Sequence, residues 1–180
     1  MSTPPHSDWI AQHEAACQRA LAGGGKAGIA TLEQLAGKSG REILEGMMAG
    51  TLPYPPMNDT MNMTLLETGD GYALFQGIPL PQHYNPAGTV HGGWFATLLD
   101  SALGCAVQST LAPARSYTTV ELSTHIVRPA SYRTGPLRAS ARVIHDGRRL
   151  LTAEARVEDE SGRLYAHATA ICMPLDMPPV

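Results

Sequence analysis

The sequence predicts an α+β chain in which a curved, mostly antiparallel sheet wraps one long apolar helix. Three observations carry that expectation. The run Gly92–Ser109 reads as a helix and holds a single charged residue, Asp100. Segments of β type flank it, joined by Asp-Gly turns at Asp70-Gly71 and Asp146-Gly147. The later segments alternate with small inward residues, so a bulky helix can seat closely against them. The order is hairpin, helix, then a meander of strands.

Taken along the chain, Ser7 is placed to cap a helix over "DWIAQHEAACQRALA", which the glycine-rich "GGGKAG" then ends. Ser39 and Glu42 have capping-box spacing for a second helix, "GREILEGMMA", closed by Gly50. The proline-rich "LPYPPMN" finishes this region. Residues 1–60 therefore read as an N-terminal helical extension whose first 25 or so are expected to be mobile, and residues 61–180 as the main domain. There, "MNMTLLETGDGYALFQGI" forms a hairpin, and "PLPQHYNPAGTV" leads into the long helix. "SYTTVELSTHIV" is the next strand, "PLRASARVIHDGRRLLTAEARVED" a second hairpin, and "ESG" turns the chain into "RLYAHATAICMP". One inward face reads Leu137, Ala139, Ala141 and Val143; the next reads Leu151, Ala153, Ala155 and Val157. The last offers Leu164, Ala166, Ala168, Ala170 and Cys172. Bulk must come from the helix, through Trp94, Phe95, Leu98, Leu99, Leu103 and Val107.

Composition narrows the function classes. At 180 residues and 43% hydrophobic, the chain can bury one substantial core. A net charge of -3 argues against a nucleic-acid partner. Nine of the 13 Lys and Arg fall between Arg115 and Arg163, however, so that half can receive an anionic ligand. Cys17, Cys105 and Cys172 are too widely spaced for a zinc or disulfide framework, and the last two read as small hydrophobes. No basic stretch precedes an apolar run at the N-terminus, and no segment nears the roughly 20 apolar residues of a membrane span. A cytoplasmic location without membrane association is the expectation.

Several apparent motifs fail. "GGGKAG" matches a dinucleotide fingerprint in form, but it follows a helix and no βαβ unit comes after it. "AGKS" has the end of a phosphate loop with Leu32 where the first glycine belongs. There is no G-x-S-x-G elbow and no H-E-x-x-H pair. The seven histidines show no ligand clustering, so no metal is expected; His125, His145 and His167 read as solvent-facing or hydrogen-bonded structural residues.

Asp100 is the informative residue. An unpaired carboxylate in an apolar interior costs several kcal/mol, so it is paired, neutralised or kept for chemistry. A buried hydrogen bond to a Thr or Ser would also account for it. Eight residues earlier the helix begins at "HGG", where free backbone N–H groups and a partial positive charge can hold a carbonyl oxygen that turns negative. Gly92 and Gly93 let a substrate approach that backbone, or simply allow a tight turn. Asn85 offers a carboxamide nearby, or serves as a turn residue before Pro86. Gly92 and Asp100 stand about 12 Å apart along the axis, too far to share one carbonyl carbon within a chain. A symmetric dimer would bring the partner's helix start beside Asp100.

The run "N-x-x-G-T-x-H-G-G", with an Asp nine residues after the His, resembles the PaaI-like branch of the hotdog-fold acyl-CoA thioesterases. The likeness extends over roughly Met61 to Met173, through "VRPA" at Val127–Ala130 and the closing "AHATAICM", and leaves residues 1–60 unmatched. It implies a hotdog fold, with two subunits joined into one continuous sheet and active sites at their interface. The partner state implied is a homodimer, or a dimer of such dimers. The implied reaction is hydrolysis of an acyl-CoA to the free acid and CoA, without a cofactor. Asp100 would be the general base or nucleophile and the partner's Gly92 N–H the oxyanion donor. Asn85 would orient substrate or water, while His91 and Gly93 shape the turn. Thr119 would assist the water, although Thr118 adjoins it and alternation turns only one inward. Arg128, Arg148 and Arg149 would meet the CoA phosphates, or remain surface arginines. Two other readings keep the fold: a non-catalytic acyl-CoA-binding or regulatory domain, and a dehydratase, whose usual His–acid pair matches the surroundings of Asp100 poorly. The acyl group depends on what closes the far end of the groove, with Tyr84, Trp94 and the N-terminal segment as candidates.

Overall fold

The computed structural model describes residues 8–177, and the Ser7 cap lies outside them. The central helix, α5 (Gly92–Gln108), starts at His91 and carries Leu98, Leu99, Leu103 and Val107 with no exposed surface at all. Six strands receive it: β1 (Met63–Gly69), β2 (Tyr72–Gly77), β3 (Arg115–Ile126), β4 (Leu137–Asp146), β5 (Leu151–Glu158) and β6 (Leu164–Asp176). They form one sheet in the order β1-β2-β4-β5-β6-β3, every neighbouring pair antiparallel. Most of the expected inward faces hold: Ala139, Ala141, Ala153, Ala155, Ala166, Ala168 and Ala170 are all buried beneath the helix, whereas an irregularity opposite Val157–Glu158 buries Tyr165 in place of Leu164. Small sheet residues against large helix residues keep the packing dense without lifting the helix off the sheet. This is the hotdog arrangement that the resemblance implied. No helix among the described residues is long and apolar enough to cross a membrane.

The sheet departs from plain alternation at one point that matters. In β3, Thr119 pairs with Cys172 but Glu121 pairs with Ile171, so Val120 is an extra residue. Such a bulge changes which parity faces inward. Tyr117 and Thr119 face the helix before it; Leu122, opposite the buried Ala170, packs on the core after it.

Four helices precede the sheet: α1 (Asp8–Ala22), α2 (Leu32–Leu35), α3 (Gly40–Ala49) and α4 (Met57–Met61). Ser39 accepts from Glu42 N–H while the Glu42 carboxylate accepts from Ser39 N–H, the expected capping box. Gly50 closes α3 in the left-handed region, at φ 78°. The α1 helix packs along β1 and meets α3. Its first turns also reach β2 and β4: Gln76 Nε2 donates to the Trp9 carbonyl at 2.7 Å, and Arg138 lies 4.1 Å over the Trp9 ring. Trp94 is only 2% exposed and its indole donates to the Met61 carbonyl, so it belongs to the core and closes no groove.

Candidate active site

The acid sits where α5 passes β3. Thr119 Oγ1 donates to Asp100 Oδ1 at 3.2 Å, and Cys172 Sγ stands 4.0 Å from the same hydroxyl. This selects Thr119 over Thr118, which is exposed. The second oxygen of Asp100 has no hydrogen-bond partner among the described residues. Burial pushes the Asp100 carboxyl above its usual range, and the Thr119 hydrogen bond draws it part of the way back. The acid is half-buried, so one flank remains reachable.

Tyr117, which the sequence did not single out, and Cys105 and Cys172, read there as small hydrophobes, complete the surroundings. The Tyr117 hydroxyl rests against Gly104, so close that a Cβ there would lie 2.0 Å from it. Burial, and then the neighbouring Cys105 and Asp100, hold the Tyr117 hydroxyl well above its ordinary range. Cys105 and Cys172 are likewise kept protonated by burial, Cys105 pushed up to about 12. None of the three is a base at neutral pH. Gly104 was the available signal, because a glycine inside an apolar helix marks a close approach.

The helix start forms a second cluster. His91 caps α5, its Nδ1 accepting from Gly93 N–H at 2.8 Å. That claims the Gly93 amide and leaves Gly92 N–H without an acceptor among the described residues. Gly92 lies against Ile126 at the end of β3, where a Cβ would meet Ile126 Cδ1 at 3.0 Å. Val90 N–H donates to the Ala130 carbonyl, tying the "VRPA" segment to the same place. Asn85 is occupied locally: its Oδ1 accepts from Ala87 and Thr89 N–H, and its Nδ2 donates to Thr89 Oγ1. It shapes the loop that delivers the chain to the helix.

The arginines are divided between the two ends of the sheet. Arg128 follows β3 near the helix start, with Nε donating to the Leu164 carbonyl and its guanidinium over Tyr165. Arg148 and Arg149 are exposed in the β4–β5 turn. That turn adjoins a row across the sheet running Asp146, Leu151, Cys172 and Thr119, and thus lies toward Asp100. Within one subunit, then, the Asp100 carboxyl and the Gly92 amide occupy separate places.

Residues 87–166, which contain Asp100, Thr119 and the helix start at His91–Gly93, match the family model described as the thioesterase superfamily. Over this stretch the chain resembles members of that superfamily. The match takes in the end of the helix-start loop, α5, β3, β4, β5 and the first residues of β6, and leaves the N-terminal helices and the β1–β2 hairpin outside it. A curated protein of Halobacterium salinarum, provisionally named an esterase, is 35% identical over 96 residues, which cover 52% of this chain and 62% of that relative. A Ralstonia eutropha structure, described provisionally as a thioesterase and as a phenylacetic acid degradation-related protein, is 28% identical. It has a TM-score of 0.67, over 73% of this chain and 98% of its own. The Escherichia coli PaaI protein of the phenylacetic acid degradation operon shares the fold, at TM-score 0.62 and 18% identity over 67% of this chain and 85% of its own.

Proposed function

We propose that the protein hydrolyses an acyl-CoA thioester to the free acid and CoA, in the cytoplasm, as a homodimer or a dimer of dimers. The observation that carries this reading is Asp100: half-buried, alone in an uncharged helix, with one oxygen unbonded and its basicity raised by burial. A carboxylate so placed is a stronger base than one in water.

In this mechanism Asp100 takes a proton from a water steadied by Thr119. The water oxygen bonds to the thioester carbon, and the carbonyl oxygen becomes negative. The Gly92 N–H and the positive end of α5 stabilise that oxyanion. Collapse breaks the C–S bond, and the proton held by Asp100 passes to the departing thiolate. A thioester is already an activated acyl group, so base and oxyanion donor are sufficient and no cofactor is called for.

Gly92 and Asp100 must come from different subunits, and the free edge of β3 offers the means. Antiparallel pairing of two β3 edges sets the Ile126 end of one strand beside the Thr119 end of the other. Gly92 lies against Ile126 and Asp100 against Thr119, so that pairing brings donor and base together. It also carries Arg128 of one subunit toward Arg148 and Arg149 of the other, which supports a shared binding place for the CoA phosphates. His91 and Gly93 hold the donor loop in shape, and Asn85 braces it from behind. Residues 1–60 are proposed to be an accessory layer on the domain formed by residues 61–180.

The test is release of free thiol from a panel of CoA thioesters by the wild type and Asp100→Asn. The expected loss in kcat is about 10²-fold or more. An Asn variant with nearly full activity would remove the assignment of Asp100 as base.

A further inference from the structure

The N-terminal helices lie outside the matched region, and they enclose a cavity. Together with the segment leading through α4, α1 and α3 close over β1 and leave about 240 Å³ of space against the hotdog body. An apolar cavity of about 150 Å³ holds benzene, so this one has room for a longer hydrocarbon. Its main walls are Leu44, Met47 and Met48 from α3, with Met63, Leu65 and Phe75 from the sheet. Methionine side chains adapt to guests of differing shape. Polar groups are few, and one of them is the Asp59 carboxylate, hydrogen-bonded with the Tyr54 hydroxyl. A carboxylate in the wall repels a free fatty acid and leaves a neutral chain unaffected.

The inner wall of the cavity is Cys105, on the same helix as Asp100. Five residues separate the two, about 7.5 Å along the axis and 140° around it. The helix face between them presents Ser101 and Gly104, and the Tyr117 ring packs directly onto Gly104, across the line from one to the other. Asp100 is near enough for its charge to raise the Cys105 thiol further. The acid and the cavity are thus close along the helix, with the Tyr117 side chain between them, which a chain running from one to the other displaces.

We propose that this cavity takes the distal part of a neutral acyl chain whose thioester carbonyl stands at Asp100, which makes the protein selective for chains of about eight to sixteen carbons. The lower bound is the roughly 10 Å from Asp100 to Cys105, spanned by about eight bonds of extended chain. The upper bound is the cavity itself, which holds roughly eight water-sized groups. This inference rests on the thioesterase reading above. It places chain-length choice in the N-terminal helices, apart from the groups that perform the hydrolysis.

Binding and turnover are measured separately. The probes are the non-hydrolysable thioethers butyl-CoA and dodecyl-CoA, titrated calorimetrically into the wild type and into Ala20→Phe and Leu21→Trp, which fill the cavity from α1. Each methylene that enters an apolar site is worth about fourfold, so dodecyl-CoA is expected to bind the wild type at least thirtyfold more tightly than butyl-CoA. Both variants are expected to cut that ratio at least tenfold, with circular dichroism and urea midpoints showing which of them are folded. Equal affinity for the two thioethers, or a preference that survives in a folded filled variant, overturns the proposal. A chain-length preference that the variants lose, in a protein that releases no thiol from dodecanoyl-CoA, upholds the cavity assignment and sinks the hydrolysis reading. Thiol release indifferent to chain length, with equal thioether binding, does the reverse.

Discussion

The two edges of the sheet have opposite fates. On the β1 side, α1 lies along the edge strand, and Met63 and Leu65 are 4% and 8% exposed. Gln76, Arg138 and Gln12 fasten it, the guanidinium bonding both glutamine oxygens beneath the Trp9 ring. On the β3 side no described element pairs beyond the strand, and Val120, Ile126 and Val127 are 54%, 45% and 55% exposed. An edge with apolar side chains and unpaired backbone groups is a template for another strand. The chain covers one edge with its own helix and leaves open the one that borders its acid. The open edge is what a paired active site needs; the covered edge is where a chain-specific cavity can form.

Charging the open edge is expected to have the largest effect. Val120→Asp places a carboxylate where two β3 edges would meet, yet costs the isolated subunit little because the position is exposed. Sedimentation should show monomers, and thiol release should fall about 10²-fold or more, since no subunit then supplies the Gly92 donor. A fully active monomer would break the comparison.

Asp100→Asn separates catalysis from stability. A carboxyl whose folded value is raised contributes most favourably below about pH 4 and loses that contribution as pH rises through the raised value. At pH 7 the Asn variant should therefore melt no lower than the wild type while losing activity. A clear drop in midpoint would mean that the folded state stabilises the charge and would overturn this reading. The same titration sets the acid limb of kcat/KM above the ordinary carboxylate range. Thr119→Val removes the hydrogen bond that lowers it and should move the limb to higher pH.

Gly104→Ala should be milder. Its methyl would collide with the Tyr117 hydroxyl, and such overpacking costs about 1–3 kcal/mol by urea unfolding. Activity on short and long thioesters should fall together, because Tyr117 borders both Asp100 and the proposed path.

Much of the fold was legible because its signals are local. The capping box at Ser39 and Glu42, the left-handed Gly50, the Asp70-Gly71 turn and the alternating alanines each depend on residues within a few positions of one another. The candidate site was legible in part: Asp100 stood out as the lone charge in α5, and His91 and the glycines as a helix start. Thr119 could not be separated from Thr118 by alternation alone, because the bulge at Val120 is visible only in the pairing of β3 with β6. Asn85 kept two readings until its hydrogen bonds assigned it to the loop. Trp94 was a candidate for closing the groove, and burial in the core removed it.

The amino-acid order alone determined the longer helices and the strands and which of their faces are apolar, since those choices are made among near neighbours; the short α2 and α4 emerged only in the folded chain. Only the folded chain decided that α1 would guard one margin of the sheet and leave the other bare, and that a void would open between added helices and hotdog. It also decided which threonine would reach the acid. Each of these depends on groups up to some 130 positions apart, such as Gln12 and Arg138, meeting in space. No short stretch of sequence encodes such a meeting, because it follows from how all the elements fill one volume together.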